Sequence, residues 1–200
     1  MPTLEQLTLH SRYQVGLWPK LDLTRTHFPR LKSLMLRNLT FFEDAQLDWI
    51  LSHAATLREL HLDDCTIIWA VMCCAEEYHD PFTVESHEGD YSEDRSRIYR
   101  TYPKRWHDYF SSFRTGLPLL HSFQFERISF PGPRQRRRDI KLDRFQENYH
   151  VFDHRLWANF RPYEWDKELD GIPTCFEEDK EALLSLLREI EQKYPARTED

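Results

Sequence analysis

Glycine is scarce in this chain, with five residues in 200. Phosphate-cradling loops need glycine where the backbone closes on the ligand. Neither a P-loop nor a G-x-G-x-x-G run occurs, and the G-x-S-x-G nucleophile elbow is missing too. Cysteine is also sparse: Cys65, Cys73, Cys74 and Cys175 are all there is. No basic segment followed by an apolar one opens the sequence, so reduced thiols and an intracellular location, cytoplasmic or nuclear, are expected. The longest apolar run, Ile67 to Ala75, falls far short of the ~20 residues a membrane helix needs, so no membrane association is expected. Positive charge is in deficit as well. A formal net charge of -7 argues against a general nucleic-acid binder, whose domain would be basic. Aromatic residues are not lacking: at 14% they argue for a packed core rather than a disordered chain.

What is present in quantity is one repeated phrase. Apolar residues stand at its positions 1, 4, 6, 9 and 11: Leu31, Leu34, Leu36, Leu39, Phe41; then Leu57, Leu60, Leu62, Cys65, Ile67; then Leu120, Phe123, Phe125, Ile128, Phe130. A shorter copy, Leu4, Leu7, Leu9, opens the chain. The spacing is that of L-x-x-L-x-L-x-x-N/C-x-L, with Cys65 on the N/C position. First positions at 4, 31, 57 and 120 lie 27, 26 and 63 residues apart, so the last step is two periods plus an insertion. A unit of this kind cannot bury its apolar face alone, and stacking against its neighbours makes the core.

Between phrases the period changes from 2 to 3.6, as a strand-then-helix unit requires. Leu47, Ile50, Leu51 and Ala54 predict a helix with Glu43 and Asp44 at its start, where carboxylates suit the positive end of the helix dipole. Trp106, Tyr109, Phe110 and Phe113 predict a second, stopped at Gly116 with Pro118 close behind. The expected fold class is α/β: a short, irregular leucine-rich-repeat solenoid with a parallel sheet over residues 1–133. Residues 76–103, rich in charge and without sustained periodicity, are expected to form an exposed loop. Residues 134–200 are expected to cap the solenoid. Tyr149, Val151 and Phe152 suit a strand there, and Trp157, Phe160, Tyr163 and Trp165 an aromatic cluster. A final helix from about Asp179 to Lys193 carries Leu183, Leu184, Leu187 and Ile190 on one side, with Leu183, Leu187 and Ile190 expected to be buried.

The chemistry-bearing residue types do not assemble into a site. Cys65, Cys73, Cys74, His79 and His87 have the wrong spacing for zinc: the two adjacent cysteines strain joint chelation, the histidines lie eight apart, and Cys65 is taken by the repeat's inward position. Asp63 and Asp64 read as solvated charge on a strand-to-loop turn. No catalytic residue, metal or cofactor is therefore expected. The run Arg134, Arg136, Arg137, Arg138, with a second basic stretch at Arg95, Arg97, Arg100, Lys104 and Arg105, offers the alternative reading of a nucleic-acid or phosphate-binding patch. A solvated loop charge run is the favoured account of it.

The phrases FPRLKSLMLRNLTF, ATLRELHLDDCTI and WHDYFSSFRTGLPLLHSFQF, then YHVFD and a last helix from Cys175 to Leu183, resemble those of fungal F-box-associated leucine-rich-repeat proteins. The resemblance covers nearly the whole length. It implies a repeat region that selects substrates for a cullin–RING ubiquitin ligase, whose adaptor an upstream F-box would dock. No F-box segment precedes Leu4, so the chain is expected to be the C-terminal part of such a protein, and adaptor binding attaches to no residue here. The expected function is non-catalytic binding of a protein partner. The residues expected to present themselves are Lys32, Ser33, Met35, Arg58, Glu59, His61, His121, Ser122 and Gln124, the variable positions of three strand phrases.

Overall fold

The fourth and sixth positions of each phrase share one side of an extended chain, so a strand there has one apolar and one polar face. The computed structural model describes residues 3–17, 19–74, 97–126, 148–153, 159–162 and 173–195. Its elements are β1 (Gln6–Val15), β2 (Ser33–Phe41), α1 (Asp44–Leu51), β3 (Glu59–Asp63), β4 (Thr66–Cys74) and β5 (Arg97–Thr101), followed by α2 (Trp106–Gly116), β6 (Ser122–Glu126), β7 (Tyr149–Asp153), β8 (Asn159–Pro162) and α3 (Phe176–Lys193). All eight strands among the described residues join one sheet, and the fold is α/β.

The four phrases lie side by side in parallel, in the order β1, β2, β3, β6. Their register is the register of the sequence pattern: Leu7 pairs with Leu34, Leu60 and Phe123 in turn, and Leu9 with Leu36, Leu62 and Phe125. The turn into each strand is also shared. The carbonyls of Glu5, Lys32 and Arg58 each accept two N–H groups from the next strand, at Lys32 and Ser33, Arg58 and Glu59, and His121 and Ser122. A slip of one residue would turn every leucine to the other face, so the apolar rows fix this pairing.

Those rows meet the helices beneath them. Trp106, Tyr109, Phe110 and Phe113 of α2 are buried, and Phe110 packs edge-on against both Phe123 and Phe125 with ring centroids 5.9 and 5.3 Å apart. Leu47 and Ile50 of α1 are buried in the same core. Each large side chain so buried contributes roughly 1.5–3 kcal/mol. Gly116 ends α2 where a Cβ would come within 2.9 Å of Leu51 Cδ2, so the absence of a side chain lets the two helices approach.

A second ladder continues the first. Thr40 and Phe41, at the end of β2, pair with Thr66 and Ile67 of β4, and β4 pairs in parallel with β7, which turns back as β8. The segment 134–200 thus supplies strands to this sheet, with β7 beside β4 rather than beside β6. Part of the stretch expected to be loop is ordered: Arg97–Thr101 forms β5, antiparallel to β4, because the far half of β4 extends past β2 and leaves backbone groups to be paired. Tyr102 follows, buried, its hydroxyl donating to Asp44 Oδ1 at 2.9 Å. Residues 75–96 lie outside the described residues, as do Trp157, Tyr163 and Trp165.

The last helix begins three residues earlier than its pattern predicts and turns a different stripe inward. Leu183 and Leu186 are fully buried, whereas Leu187 and Ile190 are half-buried at the margin of the core. Asp179, on the same stripe, is completely buried. Among the described residues no helix is long and apolar enough to cross a membrane.

Candidate functional site

Among the described residues, two places gather polar side chains: the outward face of the four parallel strands, and a buried knot where α2 and α3 begin.

On the sheet face the register sets the rows. Gln6, Ser33, Glu59 and Ser122 form one, and Thr8, Met35, His61 and Gln124 the next. His10, Arg37, Asp63 and Glu126 form a third. Strand spacing of about 4.8 Å puts neighbours within a row in side-chain reach. Eight of the nine residues predicted to present themselves have polar side chains. Six of the nine (Ser33, Glu59, Ser122, Met35, His61, Gln124) fall in the first two rows, while Lys32, Arg58 and His121 stand one residue before their strands, at equivalent positions linked through backbone bonds. Glu59, Gln124, Lys32 and Arg58 are exposed, while Ser33, Met35, His61, His121 and Ser122 are half-buried.

Charge on this face is cross-linked. Lys32 Nζ donates to Glu5 Oε2 at 2.8 Å, which holds the Glu5 carboxyl below its usual range. Arg37 Nε lies 3.2 Å from Asp63 Oδ2, and His61 Nε2 lies 3.8 Å from Glu126 Oε2. Asp63 therefore departs from the reading as solvated charge: it is 6% exposed, because the strand ladder encloses it and Arg37 compensates it. His121 packs edge-on to Tyr194, at the end of α3. Cys65 occupies the inward position expected of it, and burial pushes its thiol pKa up to about 12, a structural rather than a reactive cysteine.

The basic runs contribute little that is described. Arg134, Arg136, Arg137, Arg138 and Arg95 lie outside the described residues, as do His79 and His87. Lys104 pairs with Asp44 at 3.4 Å, and Arg105 stands at the N-terminus of α2.

The buried knot was not foreseen. Asp179 Oδ1 accepts from the His107 backbone N–H at 2.8 Å and lies 2.9 Å from His107 Nδ1; Oδ2 accepts from the Tyr149 hydroxyl at 2.6 Å and lies 3.8 Å from Cys175 Sγ. The Tyr149 oxygen in turn accepts from the Trp106 N–H at 2.8 Å. Two of the unpaired N–H groups that open α2 are thus satisfied by β7 and α3, and the carboxylate sits where the helix dipole favours it. Burial raises the Asp179 carboxyl pKa, against the bonds from Tyr149 and His107 that favour its ionised form. Burial, then the nearby Asp179 carboxylate, raises the Cys175 thiol. Burial and Asp179 drive the Tyr149 phenol far above its ordinary value.

Such a thiol, facing a carboxylate rather than a basic imidazole nitrogen, is not an activated nucleophile. His107, Tyr149, Cys175 and Asp179 are scattered over the chain, and only the i, i+4 spacing of Cys175 and Asp179 on one helix hints at their meeting. Compared with family models, with curated proteins and with solved structures, the chain has no match.

Proposed function

We propose that this chain is a leucine-rich-repeat scaffold that binds a protein partner across the open face of β1, β2, β3 and β6. The observation that carries the reading is the common register of the four phrases, Leu7–Leu34–Leu60–Phe123 and Leu9–Leu36–Leu62–Phe125. It supports a stack of equivalent units whose intervening side chains form one continuous surface. That surface mixes an exposed anion and cation (Glu59, Arg58), a half-buried methionine (Met35) and hydrogen-bonding groups (Ser33, Gln124), a composition suited to a protein surface rather than to a small molecule. The resemblance to fungal F-box-associated proteins gives the reading a context, selection of substrates for a ubiquitin ligase.

Changing Arg58, Glu59 and His61 together tests it, since none of the three is in the apolar core. Affinity capture is expected to lose specific partners while the melting temperature holds. An unchanged partner set would remove this face from the proposal.

A further inference from the structure

The knot at the start of α2 and α3 holds three metal-ligand types from two helices. His107 Nδ1, Cys175 Sγ and an Asp179 carboxylate oxygen all lie within 4.8 Å of one another. A zinc ion bound at about 2.0–2.3 Å by nitrogen, oxygen and sulfur in tetrahedral geometry needs its donors about 3.3–3.6 Å apart. The observed separations, 2.9 Å from His107 Nδ1 to Oδ1 and 3.8 Å from Cys175 Sγ to Oδ2, run to the two different oxygens of one carboxylate, so side-chain rotation has to bring a single oxygen to both donors. We propose that His107, Cys175 and Asp179 form a zinc site, with a water in the fourth position.

Three further observations favour this over a hydrogen-bonded knot alone. First, Asp179 is fully buried, and among the described residues the only basic side chain bonded to it is a half-exposed imidazole. Zinc with one thiolate and one carboxylate is a neutral set, which removes the cost of a buried net charge. Second, the other nitrogen of the same ring, His107 Nε2, lies 3.6 Å from Asp108 Oδ1. Asp108 is itself fixed by accepting from the Arg105 N–H at 2.8 Å. At 3.6 Å this is a nearby outer carboxylate and not a hydrogen bond, though it stands on the side where such a group orients a metal-bound histidine. Third, His107 and Cys175 both reach solvent in part, so an ion has an entry path. Binding forms the Zn–N, Zn–S and Zn–O bonds and releases the Cys175 thiol proton to solvent, while the neutral His107 ring, bound through Nδ1, carries its one proton on Nε2. The metal would bridge α2 and α3, locking the first turns of the two helices together.

Cobalt substitution tests the site on the purified full chain. Co²⁺ is expected to bind one per chain, with a thiolate charge-transfer absorption in the near ultraviolet, and Zn²⁺ to displace it. Cys175→Ser should abolish that absorption and weaken Zn²⁺ binding by more than about 100-fold, beyond the loss of an outer hydrogen-bond partner. His107→Ala, which keeps the backbone N–H to Asp179, should weaken binding comparably and gives the answer if the serine variant does not fold. A folded wild-type chain without the absorption overturns the proposal. So does an absorption that persists in Cys175→Ser, or binding unchanged in His107→Ala.

Discussion

Asn38 and Asp64 share a left-handed backbone, φ 57° and 54°, at the same position of successive phrases, one residue before Leu39 and Cys65. Each marks the place where the chain leaves the first ladder for the second. Up to Arg37, β2 pairs with β3, and from Thr40 it pairs with β4. β3 ends at Asp63, and β4 begins at Thr66. Bonds to neighbouring strands hold both bends: Asn38 Nδ2 donates to the Ser11 carbonyl at 2.6 Å, and the Asp64 N–H to that of Glu126 at 2.8 Å. Asparagine and aspartate tolerate this conformation, and a β-branched residue does not. Asp64→Val is therefore expected to cost about 1–2 kcal/mol and Asp64→Gly less than about 1 kcal/mol, read from urea midpoints. Equal losses in the two variants would show that backbone strain does not set this position.

A pH response is built into the turn before the second phrase. His53 is buried, its Nδ1 lies 2.9 Å from the Trp49 carbonyl, and its Nε2 accepts the Phe28 N–H at 3.2 Å. Accepting that bond requires the neutral ring with its proton on Nδ1. Burial, first, and the neighbouring His27 both lower its pKa below that of an ordinary histidine, against the Trp49 carbonyl. A histidine whose folded pKa is depressed stabilises the fold above its unfolded pKa, and that stability is lost as pH falls. The urea midpoint is expected to drop between about pH 7.5 and pH 5.5, and to drop less in His53→Gln, which cannot take up the proton. An identical pH slope in the variant would assign the acid response to other groups.

The sequence pattern carried the strand phrases, their register and the inward faces of α1 and α2, because periods of 2 and 3.6 with apolar residues leave one arrangement in which each row finds a neighbour. Leu34, Leu60 and Phe123 pair in the way their phrase positions require. β5 was not legible: its partner on β4 is distant in sequence, and its pairing rests on backbone groups that leave no mark on residue type. The knot of His107, Tyr149, Cys175 and Asp179 was hidden for the same reason, since tertiary packing alone brings the residues together. Asp63 misled because a carboxylate next to a turn reads as solvated, and its partner Arg37 stands in another phrase. The two share the seventh position of successive phrases, so the register itself sets them side by side once the strands are paired.

The stripe of α3 that faces the core gives the last prediction. Spacing from Leu183 points to Leu187 and Ile190 as its companions, yet the structure buries Leu186 to 2% exposure and leaves Leu187 only half-buried. The helix is rotated so that Asp179 and Leu183 form a continuous inward line, an i, i+4 pair, and Leu186 extends it by three residues. Asp179 explains the rotation: its carboxylate must point at the N-terminus of α2 to accept the His107 N–H, and this fixes which leucines follow it inward. Leu186→Ala is therefore expected to destabilise the chain by about 2–5 kcal/mol, as truncation in a packed core does. Leu187→Ala should cost less than half as much. Chemical denaturation of the two variants side by side checks the order. A larger loss in Leu187→Ala would place the other stripe against α2 and break the link between the buried carboxylate and the setting of the helix.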